Sequence, residues 1–121
     1  DAAEFLNRIY TNAWLKLPVG KARYGLMLRE DGMIMDDGTT TRISENHYHM
    51  TTTTAQAANV LSHLEYYLQI VWPELNVNVV SGCFTFINCK FNKSYNLFWV
   101  ATTSVPPPSP DDVAFDDTVI S

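Results

Sequence analysis

The sequence predicts an α+β fold, a mainly antiparallel sheet backed by two packed helices. Three observations carry that prediction. Asp31-Gly32 separates the apolar runs RYGLMLRE and MIMDD, the strongest short-range hairpin signal. Ala57, Val60, Leu61, Leu64, Tyr67, Leu68 and Val71 recur at i, i+3, i+4 and i+7, the period of a half-buried helix. Short runs rich in threonine, valine and aromatic residues occupy much of the remaining chain, as strands do.

Taken in order, residues 3–13 place Phe5, Leu6, Ile9, Tyr10 and Ala13 at helical spacing, and Leu17-Pro18-Val19-Gly20 breaks the chain after them. Residues 22–37 form the hairpin. A two-residue loop at Asp31-Gly32 sets Leu28 opposite Met35, Leu26 opposite Asp37 and Tyr24 opposite Thr39. Alternation then puts Tyr24, Leu26, Leu28, Met35, Asp37 and Thr39 on one face, with Asp36 pointing the other way. Strands continue over 39–44 and 47–53 around Glu45-Asn46. Thr53 and Gln56 then have capping-box spacing for the long helix, which Pro73 stops. Further strands are expected at 76–81, 83–89 and 95–103. The last stretch, VPPPSPDDVAFDDTVIS, combines four prolines with four aspartates and no basic residue, and reads as a loosely ordered arm. The organisation is therefore one domain over 1–104 and a Pro/Asp-rich tail over 105–121.

A chain of 121 residues with 46% hydrophobic content suffices for a core. Of the net charge of -5, Asp111, Asp112, Asp116 and Asp117 supply four units, so the rest is nearly neutral. No basic stripe exists to meet a phosphate backbone, which argues against nucleic acid as a partner. Cys83 and Cys89 would lie ~20 Å apart in an extended run, too far for a disulfide. Free thiols suit a reducing compartment. No signal peptide and no membrane-spanning stretch is seen. The expected location is cytoplasmic, with no membrane partner.

Among candidate chemical groups, Asp37 comes first. On the apolar face it loses hydration, and Tyr24 beside it supplies a hydrogen-bond donor or a ring to stack on. Such a carboxylate handles a proton or holds an amine. Aspartate before Gly38-Thr39 equally suits a turn that accepts their amides, and spacing alone leaves both readings open. His47 and His49 share one side of a strand, but no acid or cysteine at ligand spacing accompanies them and His63, so no metal site is assigned. The cysteines lack CxxC spacing and read as core residues. The run Thr51–Thr54 has no glycine-rich phosphate loop.

The wording of LPVGKARYGLMLREDG, DDGTTTR, MTTTTA and HLE…WPEL resembles the C-terminal, folate-binding domain of heterotetrameric sarcosine oxidase alpha subunits. That domain is itself similar to the glycine cleavage T-protein, an aminomethyltransferase. The resemblance covers about residues 4–81 and implies a ferredoxin-like fragment of the T-protein-type fold. It also implies tetrahydrofolate as the bound cofactor. Asp37 corresponds to the family's second aspartate, which assists capture of the one-carbon unit. Tyr24 corresponds to the pocket tyrosine. Thr53 stands where many T-proteins have asparagine, so it is the third expected folate-binding position. The implied activity is methylene transfer from oxidised sarcosine to tetrahydrofolate.

The resemblance stops after Ser81, where GCFTFINCKF begins a different pattern. The family's pterin-gripping acid and arginine are expected beyond position 121. GxGxxG is absent, so flavin and NAD sites are expected outside this chain. A partial pocket is expected to have little activity alone. The alternative reading is a non-catalytic oligomeric or interaction domain on the same scaffold, partnered by other oxidase subunits or by itself, with Phe84, Phe86, Phe91, Tyr95, Phe98 and Trp99 covering an interface.

Overall fold

The computed structural model describes residues 1–84 and 95–102. Two helices pack on one face of an antiparallel sheet. The first helix, α1 (Ala2–Ile9), buries Ala2, Phe5, Leu6 and Ile9, and its exposed side carries an i,i+4 pair, Glu4–Arg8 at 2.8 Å. It ends four residues before the expected Ala13. Tyr10 turns extended (φ −95°, ψ 157°) and makes an isolated bridge to Met27. Sheet pairing thus overrides the helical pattern. A single 3₁₀ turn, Trp14–Lys16, then drives the Trp14 ring into the core.

The strands are β1 (Ala22–Leu28), β2 (Ile34–Ser44) and β3 (His47–Thr52), followed after the helix by β4 (Val77–Phe84) and β5 (Tyr95–Thr102). They form one five-stranded sheet in the order β1-β2-β3-β5-β4, every neighbour antiparallel. The expected runs 34–37 and 39–44 are one continuous strand. Residues 85–89 and the tail 103–121 lie outside the described residues, as does Cys89.

The first hairpin corrects the expected loop. Its connection is Glu30-Asp31-Gly32: Gly32 N–H donates to Arg29 O at 2.9 Å and Arg29 N–H to Met33 O at 2.9 Å. Only Gly32 takes positive φ (+80°), and Asp31 instead accepts the Met33 N–H at 3.0 Å. This is a type I turn closed by a glycine, not a type I′ turn needing two positive φ values. The extra loop residue shifts the register, so Leu28 faces Ile34 rather than Met35. A bulge between Met27 and Leu28 then restores the phase, and Leu26 still faces Asp37 and Tyr24 still faces Thr39. Met35, left over by the bulge, packs against the core instead of joining the Tyr24 face.

The long helix begins with a 3₁₀ turn (Thr54–Gln56), runs as α2 (Ala57–Tyr66) and ends in a π segment over Tyr67–Val71. Thr53 and Gln56 do not form the expected capping box; neither makes a side-chain cap, and Gln56 N–H donates to Thr53 O instead. Val60 and Leu64 are buried, while Leu61, Leu68 and Trp72 pack against the same core as Phe5 and Met50. Trp72 N–H closes the π turn on Tyr67 O at 2.7 Å, and Pro73 ends it. Arg42 ties the two ends of the first half together, donating to Leu17 O (2.7 Å) and Glu45 O (2.9 Å) while lying over the Tyr48 ring.

Gly38 sits against the backbone of Thr51 in β3. A Cβ there would stand 2.0 Å from Thr51 O and 2.9 Å from Thr51 C, both backbone atoms that cannot rotate away. Gly38→Ala is expected to cost about 3 kcal/mol or more, the upper range for overpacking, read as a lowered urea midpoint.

Candidate functional site

The site follows from the phase of β2. Met27, Asp36, Thr40, Tyr48, Met50 and Thr52 point to the helix side and are buried. The opposite, outer face therefore receives Tyr24, Leu26, Asp37, Thr39 and Thr51. Tyr24 is 57% exposed and Asp37 is also exposed, so the expected desolvation of Asp37 is corrected: the carboxyl taken inside is Asp36, at 4% exposure. The reason lies in the residues packed under β1. Tyr10 and Trp14 occupy the space next to Gly25, where an added Cβ would meet Trp14 at 2.7 Å, and this fixes Gly25 and Met27 as the inward positions. Tyr24 and Leu26 must then face out.

The structure does bring Tyr24 and Asp37 together. The Tyr24 phenol donates a hydrogen bond to Asp37 Oδ2. The bond to the carboxylate, with a smaller effect of burial, raises the phenol pKa above its ordinary value. Thr53 lies at the end of β3, exposed, just before the 3₁₀ turn. Its backbone N–H donates to both oxygens of Asp36, at 3.2 and 3.3 Å.

Two participants were not singled out from the sequence. Asp36 fastens the β3–α2 junction from inside, and Thr51 ties β3 to β2 from outside: its hydroxyl accepts Thr39 N–H at 3.0 Å and donates to Thr39 O at 3.3 Å. Side chains thus continue the β2–β3 connection beyond the last backbone pair, Thr40↔Met50. The period-two series Asp36, Gly38, Thr40 and Arg42 was the available signal for Asp36, since it runs opposite the buried side of β3.

His47 and His49 share the outer face with ring centroids 5.9 Å apart. Burial pushes the His49 imidazole down to about 4, helped by the neighbouring His47, whose own value burial also lowers. His63 lies on α2, edge-on to Tyr67 at 4.8 Å. The described residues hold no group of three metal-ligating side chains. No described helix is long and apolar enough to cross a membrane. A separate cleft of about 370 Å³ lies between the hairpin loop and α2, lined by Arg29, Glu30, Asp31, His63, Tyr66 and Tyr67. It contains none of Tyr24, Asp37 and Thr53.

The sequence that builds this sheet matches the family model for the GCVT N-terminal domain over residues 1–92. The chain belongs to that family. Among curated proteins, sarcosine oxidase subunit alpha of Rhizobium meliloti (strain 1021) is 69% identical over 81 residues, which are 67% of this chain and 8% of that protein. The subunits of the same name from Corynebacterium sp. strains P-1 and U-96 are 59% and 58% identical over the same length, again 8% of each.

The raised Tyr24 pKa has a checkable sign. The protonated phenol is favoured in the fold, so its contribution is present below the ordinary tyrosine value of 10.0 and is lost as pH rises through the elevated folded value. Tyrosinate absorbance, taken as the difference between wild type and Tyr24→Phe, is expected to titrate above 10.0, and Asp37→Asn to bring it back down. His49 acts at the other end of the scale. Its neutral form is favoured in the fold, so the contribution is full above 6.5 and falls as pH drops from there toward about 4. His49→Gln is expected to flatten the loss of stability across that window, measured by urea denaturation at stepped pH.

Proposed function

We propose that this chain carries one wall of a folate-dependent one-carbon transfer site of the sarcosine oxidase alpha type. The observation that carries the reading is the Tyr24–Asp37 hydrogen bond on the outer face of the sheet, in a chain of the GCVT N-terminal domain family. The residues suit tetrahydrofolate. Asp37 Oδ2 is held by the phenol, and the carboxylate as a whole stays accessible to an amine N–H. Leu26 lies opposite it and the exposed Tyr24 ring offers a flat surface for stacking.

Bound tetrahydrofolate supplies a nucleophilic amine for the one-carbon unit. Asp37 would accept a hydrogen bond from that amine and take up the proton it releases. Tyr24 holds the carboxylate in a single orientation, which reduces the ordering left for the moment of reaction. Thr53 adds a hydroxyl at the neighbouring strand end. The donor of the one-carbon unit, by analogy with the relatives' printed name, is oxidised sarcosine. Subunits of such an oxidase are the partners that this reading implies.

Titration calorimetry of the chain with tetrahydrofolate is expected to show binding that weakens tenfold or more, about 1.4 kcal/mol, in Asp37→Ala. Tyr24→Phe is expected to weaken it less. A folded wild-type chain that gives no heat with tetrahydrofolate, or equal binding by Asp37→Ala, overturns the assignment.

A further inference from the structure

The sheet order leaves two edges, β1 and β4. The β1 edge is occupied along part of its length: Tyr10 bridges Met27, Thr11 N–H donates to Leu26 O at 3.1 Å, and the Arg23 guanidinium reaches Ala13 O. The β4 edge differs. On one side β4 pairs with β5 along all eight residues, Val77↔Thr102 to Phe84↔Tyr95. On the other side, no strand among the described residues pairs with it. In an antiparallel strand alternate residues turn N–H and C=O away from the neighbour, so half of the β4 backbone groups face outward.

Natural edges usually carry a lysine, a proline, an inward charge or a bulge that discourages further pairing. β4 reads VNVVSGCF, with no charge and no proline, and its pairing with β5 shows no register shift. Val80 is 42% exposed, and Asn78 and Ser81 are exposed beside it.

We propose that β4 pairs antiparallel with β4 of a second copy of this chain across a two-fold axis, joining the two five-stranded sheets into one. Self-pairing suits this edge for three reasons. An uncharged strand meets no like-charge repulsion from its own copy. Antiparallel pairing about a two-fold axis gives each copy the same donors and acceptors, so both edges are satisfied together. The two-fold axis uses up both β4 edges, and the Tyr10–Thr11 segment lying along Leu26 and Met27 interrupts pairing at the β1 edge, so the assembly closes at two.

Sedimentation of the full chain tests this. The wild type is expected to form a dimer with a dissociation constant of about 1–100 μM. Val80→Lys and, separately, Asn78→Lys add a charge to the β4 edge of each copy and are expected to weaken the dimer tenfold or more. Ser62→Lys, on the exposed side of α2, is expected to leave it unchanged. Circular dichroism identifies which lysine variant keeps the wild-type fold, and that variant is the one scored. A wild type that stays monomeric up to about 1 mM, lysine variants that dimerise like the wild type, or growth past two copies each overturns the proposal. None of these outcomes depends on tetrahydrofolate.

Discussion

The arrangement of this chain depends on one buried carboxyl group. Asp36 points into the helix side of the sheet and takes the Thr53 N–H on both oxygens. A hydrogen bond to a charged group contributes about 1.5–3 kcal/mol, and the donor would be costly to leave unmade inside. That single contact does two jobs. It holds the end of β3 and the start of the α2 region beside β2 after backbone pairing has stopped at Thr40↔Met50. It also holds β2 in the phase that Tyr10 and Trp14 set through β1, and in a strand the phase of one residue decides the face of the next. With Asp36 inside, Asp37 has to be outside. The two acids are therefore divided between the faces: Asp36 secures the scaffold from inside and Asp37 stays exposed on the outer face.

Around that anchor, the region where β2 and β3 approach is unusually tight. Gly38 lets the Thr51 carbonyl come closer than any side chain would allow, and the Thr51 hydroxyl takes both backbone groups of Thr39. The outer surface beside Asp37 is thus built from short, tied-down residues. Such a surface holds a carboxylate still, which a positioning site requires. Tyr24 adds the last constraint by donating its phenol hydrogen to Oδ2.

Much of this was legible in the residues, though not always for the right reason. The hairpin, the long helix and the α+β class follow from turn chemistry and periodicity. The pairing of Leu26 with Asp37 was read correctly although the loop was read incorrectly: a three-residue connection and a bulge near Met35 offset each other. Which side of the sheet is wet was not legible from the hairpin alone. Leu26 and Leu28 are more apolar than Gly25 and Asp36, so composition points the wrong way. The deciding groups, Tyr10 and Trp14, come from a segment earlier in the chain that was read partly as helix. Helix α1 ends early for the same reason, because the Tyr10 backbone serves the sheet. Sequence periodicity sees one element at a time, and these outcomes are set by contacts between elements.

The geometry of the sheet also decides whether the proposed folate wall and the proposed self-pairing edge can coexist. The Tyr24–Asp37 pair lies on a face of the β1–β2 ribbon, whereas β4 is the strand that has no second neighbour among the described residues. Between β2 and β4 stand β3 and β5, and at ~4.8 Å per strand the two features are separated by about 14 Å across the sheet. A second copy joining at β4 extends the sheet laterally, in its own plane, and leaves the outer face of β1 and β2 uncovered. Anything laid on that face approaches perpendicular to the strands, where the side chains alternate outward. The edge offers backbone groups and the face offers side chains, so the two surfaces recognise different chemistry and neither has to be given up for the other.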